Sequence, residues 1–300
     1  MKYAIKREFG IFRRFCLPVS KPLLKLAKPL MSVLPKGMHS NKLLKISKRK
    51  IPCSDGASVN AFVIRSKAQS GAQPAILYLH GGAFVIKASP HHYKLAKKYA
   101  LTTNSTVIFV DYRLAFETAY GVPLQDCVDA YRYAVQNCAE LGIVANNISI
   151  AGDSAGGYLC LALVDKCREL GLPIPQRQVL IYPVVDPEMS TESMSKFVDT
   201  PMWNAKENGR MWAIYAKGNA TYNPLRADLS YLPPTYVETA EFDCLRDEGA
   251  SLAEKLTESG VKCVLNETKG TMHGFDVCVK APTSVFAIDQ RIEFLKNNSN

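Results

Sequence analysis

The stretch SIAGDSAGG, residues 149–157, sets a serine among glycines directly after a short apolar run. In ordinary turn chemistry a serine caps a helix or bonds its own backbone. The spacing Gly152-Asp153-Ser154-Ala155-Gly156 has a second reading, a G-x-S-x-G elbow that holds the serine on a sharp strand-to-helix turn with its hydroxyl exposed. Small neighbours suit that reading, because the turn is crowded and the helix that follows packs close to the strand. Five residues decide little alone. The rest of the chain has to supply a strand before them, a helix after them and chemical partners elsewhere.

Outward from this stretch, short apolar runs alternate with longer segments of helical pattern. AILYL (75–79), TVIFV (106–110), ISIA (148–151), VLIYPVV (179–185) and TYVETA (235–240) read as strands. Several are apolar at every position, as strands covered on both faces are. Helical patterns fall near 90–102, 123–140, 155–170, 245–259 and 283–296. The alternation predicts an α/β protein with a mainly parallel central sheet and helices on both faces. Two regions break the rhythm. Residues 1–50 set Pro18, Pro22, Pro29 and Pro35 among apolar fragments, and residues 186–225 hold Met- and Trp-containing segments such as MWNAKENGRMWAIYAKG. Both read as additions to a body spanning 51–300.

A chain of 300 residues with 47% hydrophobic and 21% charged content can bury a large core. No apolar stretch reaches the roughly 18 residues of a membrane span. The net charge of +10 is uneven: the first 50 residues hold 14 of the 37 basic residues and, in Glu8, one of the 27 acidic ones. The arm therefore carries +13 and the body −3, which leaves nucleic-acid binding by the body without an electrostatic basis. In the arm, Ile5, Phe9, Phe12 and Cys16 share one face at helical spacing. Leu23, Ala27, Leu30 and Leu34 share another, interleaved with Lys21, Lys25 and Lys28. Cap helices over the body are expected, with contact to an anionic membrane surface as the alternative. Nine cysteines without a C-x-x-C, and no Cys/His spacing suited to zinc, read as packed thiols of a cytoplasmic protein without a metal.

In an open parallel sheet, ligands bind outside the carboxyl ends of the strands. Each informative motif follows a predicted strand: HGGAF (80–84) after AILYL, DYRLA (111–115) after TVIFV, the elbow after ISIA, and EFDCLRDEG (241–249) after TYVETA. A serine hydroxyl needs a base, and on this kind of sheet the order is Ser, then Asp or Glu, then His. Of the five histidines (His39, His80, His91, His92 and His273) only His273 follows Ser154. The acid that orients it must lie between them. Asp186, Asp199, Asp228, Asp243 and Asp247 sit near credible loops, and Asp243 is favoured because it comes soon after a strand. Asp247 and Glu248 have a competing role in the first turn of a helix. Backbone N–H groups at Gly81 and Gly82, and at Ala155 at the start of the following helix, are candidate donors to an oxyanion.

Taken together, YLHGGAF, DYRLA, AGDSAGG, LPPTYVETAEFDCLRDEG and MHGF resemble the hormone-sensitive-lipase-like family of α/β-hydrolase esterases, in the family's order from about residue 75 to 276. The resemblance implies Ser154 as nucleophile, Asp243 as acid, His273 as base, and Gly81, Gly82 and Ala155 as oxyanion donors. It implies hydrolysis of short-chain acyl esters, small molecules, through an acyl-enzyme and without a cofactor. An amidase or deacetylase with the same triad, or a non-catalytic small-ligand receptor on the same fold, are the alternatives. It also implies a cap built from the N-terminal segment and an insertion before the acid, here about 186–225. Two departures stand out: Phe116-Glu117 where the family has Pro-Glu, and Cys244 where proline is common. The oligomeric state is not legible.

Overall fold

The fully apolar runs form the middle of one eight-stranded sheet, in a computed structural model that describes residues 2–16, 18–19 and 37–296. Along the chain the elements are β1 (Leu44–Pro52), β2 (Ser58–Ser66), β3 (Gln73–Leu79), α1 (Pro90–Thr102), β4 (Thr106–Asp111), α2 (Val122–Gln136), α3 (Cys138–Leu141), β5 (Ile143–Asp153) and α4 (Ala155–Glu169). They continue with β6 (Gln178–Ile181), α5 (Glu192–Lys196), α6 (Ala205–Ala216), β7 (Thr235–Phe242), α7 (Arg246–Glu258), β8 (Cys263–Met272) and α8 (Pro282–Lys296). The strand order is β1-β2-β4-β3-β5-β6-β7-β8. Strands from β4 through β8 in that order pair in parallel, and β1 and β2 are added antiparallel at one edge. This is the α/β-hydrolase fold.

Side chains alternate across the sheet. Leu77 and Leu79 face a core shared with α2 and α4, while Ile76 and Tyr78 face a second core shared with α1 and α8. Two differences from the sequence pattern have clear causes. The run 179–185 stops being a strand at Ile181, because Tyr182 takes a left-handed φ of 34° and Pro183 follows. Strands β1 and β8 lack an apolar run because they are edges with one face open, where charged residues such as Lys45 and Lys48 discourage pairing with another chain.

The described part of the arm is not one helix. Arg7–Arg14 forms tight 3-10 turns broken at Gly10, whose φ of 54° and ψ of −128° only glycine adopts readily. Ile5 and Phe9 are buried, Phe12 and Cys16 half-buried, and Ile11 and Phe15 turn outward, 73% and 51% exposed. The second amphipathic fragment, with Leu23, Ala27, Leu30 and Leu34, lies outside the described residues. Among the described residues no helix is long and apolar enough to cross a membrane.

Candidate active site

The chain leaves β3 toward β4 on one side and, after β4, crosses to β5 on the other. Such a reversal opens a crevice between the strand ends. The loop 80–86 and Ser154 sit there.

Ser154 occupies a strained backbone position, φ 55° and ψ −120°, between β5 and α4, a conformation that costs about 1–3 kcal/mol. Its neighbours explain the glycines. A Cβ at Gly156 would lie 2.0 Å from the Leu79 carbonyl oxygen, and one at Gly152 would lie 2.4 Å from the Gly156 carbonyl oxygen. The elbow is held by Ser154 N–H donating to Ile181 C=O (2.8 Å) and by Val184 N–H donating to Ser154 C=O (3.1 Å).

His273 and Asp243 reach this point through the pairing of β7 with β8. Phe242 is in register with Met272, so the next residue of each strand leaves from adjacent ends. His273 Nε2 lies 2.9 Å from Ser154 Oγ, and its Nδ1 lies 2.7 Å from Asp243 Oδ2. Asp243 is fully buried, and its Oδ1 accepts the N–H of Leu245 at 3.0 Å. The other aspartates are engaged elsewhere. Asp247 accepts from Ser193 N–H and pairs with Arg246, Asp186 ties the 186–190 turn to Asn223, Asp199 meets Lys2 and Tyr3, and Asp228 accepts from Ser230 N–H.

The loop after β3 also has strained geometry. Gly82, Ala83 and Phe84 take φ of 123°, 56° and 60° in succession. Gly82 C=O accepts from Val85 and Ile86, and a Cβ at Gly82 would lie 2.4 Å from the Ile86 carbonyl oxygen. His80, which has no place in the Ser-Asp-His order, turns out to orient this loop. It stacks on Tyr112 (centroids 4.3 Å apart), and its Nδ1 lies 2.6 Å from Gly81 C=O. A trans peptide points its C=O and N–H in opposite directions. Pinning Gly81 C=O on His80 therefore turns Gly82 N–H the other way. Among the described residues the N–H groups of Gly81, Gly82 and Ala155 have no acceptor.

Burial, with His92 nearby, pushes His80 down to about 4. Between there and the ordinary value of 6.5 the unfolded chain binds more protons than the folded one, so stability should fall as pH falls through that window. The loss from this residue should be about 2 kcal/mol between pH 7 and pH 5. Urea denaturation at the two pH values should show it. In a folded His80→Asn variant the difference should shrink, and an unchanged difference would refute the assignment.

Ser154 and His273 open into a cavity of about 150 Å³. Its walls include Ile86, His91, Tyr182, Met202 and Trp203. A larger recess of about 580 Å³ lies elsewhere, against the edge strands β1 and β2, and includes none of these residues. Tyr182 packs edge-on against His273, centroids 4.7 Å apart. Met202 and Trp203 come from the 186–225 insertion, whose Met- and Trp-containing pattern was the only sequence sign of them. The arm braces this wall: Met202 N–H donates to Phe15 C=O (2.5 Å), Phe9 packs on Phe275, and Lys6 N–H donates to Gly270 C=O (2.9 Å). Phe116 packs against the core and Cys244 is buried; with both departures present, Ser154, His273 and Asp243 still form one hydrogen-bonded line.

Residues 76–277 match the family described by the α/β-hydrolase fold. A carboxylesterase of Mycobacterium tuberculosis, NlhH, is 34% identical over 233 residues, covering 74% of this chain and 73% of that one. Among solved structures, a bacterial heroin esterase superposes with a TM-score of 0.86 at 28% identity, covering 99% of this chain and 98% of that one. A thermostable esterase from Pseudomonas putida gives 0.87 at 26% identity, with 97% of each chain covered. The chain belongs to the hormone-sensitive-lipase-like family of α/β-hydrolase esterases. It is a serine hydrolase with carboxylesterase activity.

Proposed function

We propose that this chain hydrolyses short-chain carboxylic esters through an acyl-enzyme on Ser154, with His273 as base, Asp243 as the acid that orients it, and the N–H groups of Gly81, Gly82 and Ala155 as oxyanion donors. The observation that carries this reading is the continuous line from Ser154 Oγ to His273 (2.9 Å) to Asp243 (2.7 Å) at the mouth of a small cavity. Ser154 Oγ attacks the ester carbonyl as its proton passes to His273 Nε2. The tetrahedral oxyanion forms against the N–H groups. As the C–O bond breaks, His273 returns the proton to the leaving alkoxide. Water then attacks the acyl-enzyme, giving its proton to His273, and the acid is released as Ser154 regains a proton. Asp243 keeps the imidazole proton on Nδ1 and stabilises the imidazolium.

The cavity volume supports a short acyl chain. A non-catalytic receptor would have no use for a histidine aligned on the serine. An amidase would use the same groups, so the test is a panel of p-nitrophenyl esters of increasing acyl length beside aryl amides. Ester turnover that peaks at short chains is expected. Faster amide cleavage, or no turnover of either, would overturn the reading. The nine cysteines are unpaired thiols, five of them buried, which supports a cytoplasmic setting.

The arm and the 186–225 insertion serve, in this reading, as a cap over the cavity. Support comes from the Phe15–Met202 contact, which ties the arm to a cavity wall, and from the Phe9–Phe275 contact, beside Gly274 of the lining. Deleting residues 1–16 should lower kcat/KM about tenfold through loss of wall packing, while Ser154 still reacts with an organophosphate. Unchanged kinetics together with loss of salt-sensitive binding to anionic vesicles would make the arm a membrane contact instead, with exposed Ile11 and Phe15 as its apolar anchors.

A further inference from the structure

The first turn of α1 places two adjacent histidines, His91 and His92, in the wall of the cavity that holds Ser154. Neither takes part in the proton transfers above. The hydrogen bonds of His92 settle its tautomer. Its Nδ1 accepts Ser89 N–H at 2.9 Å, so its proton sits on Nε2, which faces Asp153 Oδ2 at 3.0 Å. Tyr78 O–H donates to the other oxygen of Asp153 at 2.9 Å. His91, His92 and Asp153 hold ligand-type atoms within 4.8 Å of one another. Because His92 turns a hydrogen rather than a lone pair toward Asp153, the trio is built as a hydrogen-bonded network and not as a cation site.

His91 is the open end of that network. Its ring lies on His92, centroids 3.8 Å apart, and its Nδ1 is 2.5 Å from Ser89 Oγ. With His92 Nδ1 occupied by Ser89 N–H, we assign the Ser89 hydroxyl proton to His91 Nδ1. That leaves the His91 proton on Nε2. Burial, with His92 beside it, pushes the imidazole down to about 4 and outweighs the carboxylates of Asp276 and Asp153, which favour the charged form. Asp276 is tied to Arg291 and Tyr182 and Asp153 to His92 and Tyr78, and among the described residues neither carboxylate hydrogen-bonds His91. The wall around it is mainly apolar, with Ile86, Met202, Trp203 and the ring of Tyr182, and the lysine that shares it, Lys87, is paired with Asp111.

We propose that His91 is a specificity-determining residue: its Nε2–H donates to an acceptor oxygen beyond the scissile carbonyl, so that short oxygen-bearing esters, such as alkoxyacyl esters, are favoured over plain alkyl ones. The proposal rests on the reading of Ser154 as nucleophile. A half-buried donor that lines the cavity, with no hydrogen-bond partner for this nitrogen among the described residues, discriminates in favour of a substrate that supplies an acceptor.

The test compares p-nitrophenyl methoxyacetate with p-nitrophenyl butyrate, which differ by one oxygen in place of a methylene. The two esters differ in intrinsic reactivity, so the readout is the ratio of their kcat/KM values, compared between enzymes. In His91→Phe that ratio should fall about tenfold, and His91→Gln, which keeps a donor, should largely retain it. Equal changes on both esters would mean that the ring only shapes the wall and would overturn the proposal. Inhibition of the unaltered enzyme by zinc, reversed by chelator and lost in His91→Phe, would replace it with a metal site. Organophosphate labelling of Ser154 keeps the two readings apart. No label on the unaltered enzyme defeats the nucleophile, whereas full label with an unmoved ratio defeats only the role of His91.

Discussion

Ser154→Ala is expected to remove ester hydrolysis, by on the order of 10⁴–10⁶ in kcat, and to leave the fold in place. The hydroxyl makes one hydrogen bond, to His273, and the left-handed backbone at this position strains serine and alanine alike. The variant should therefore melt close to the unaltered protein. Other nucleophiles are not poised to substitute, since the nearby thiol of Cys160 is fully buried and its burial raises it well above the ordinary thiol range. A folded Ser154→Ala protein that kept more than a tenth of the activity would refute the nucleophile assignment.

Asp243→Asn is expected to cost about 10³–10⁴ in kcat while the protein stays folded. The reason lies in the second oxygen of the carboxylate. Oδ1 accepts Leu245 N–H at 3.0 Å, so an asparagine must keep its carbonyl oxygen there and turn its NH₂ toward His273. Nδ1 then has to accept, the imidazole proton moves to Nε2, and His273 can no longer take a proton from Ser154. Asp247→Asn should cost far less activity, because that carboxylate joins Ser193 N–H and Arg246 at the start of α7 and does not reach His273. Steady-state kinetics on the two purified variants decide the matter. The reverse ranking would move the acid to Asp247.

These two aspartates show what had to come from the fold. Both lie within a turn of the end of β7, four residues apart, and on sequence position alone each had a role to fill. Asp243 is selected by the register of β7 against β8, which sets Phe242 opposite Met272 and so brings the following residues together. Strand β8 itself has no apolar run to announce it, because it is an edge strand with one side in solvent. His80 was illegible for a similar reason. Its function comes from stacking on Tyr112 and holding Gly81 C=O, contacts made with a residue 32 positions away and with the backbone. The first fragment of the arm, with its apolar residues at helical spacing, forms broken 3-10 turns, and periodicity does not register the left-handed glycine at position 10 that breaks them.

The sequence by itself determined the class of the sheet, the elbow and the candidate base. Strands buried on both faces must be apolar at every position. A serine turn between closely packed backbones must be flanked by glycines, and a single histidine followed Ser154. All three are local or countable properties. Tertiary structure decided how Gly82 N–H is aimed and which side chains wall the cavity, and it brought Asp243, the aspartate favoured by its position after a strand, to His273. Ser154 and His273 are 119 residues apart, and His273 and Asp243 are 30 apart. Strand pairing and loop strain bring such groups within hydrogen-bonding distance, and neither leaves a periodic trace in the residues concerned.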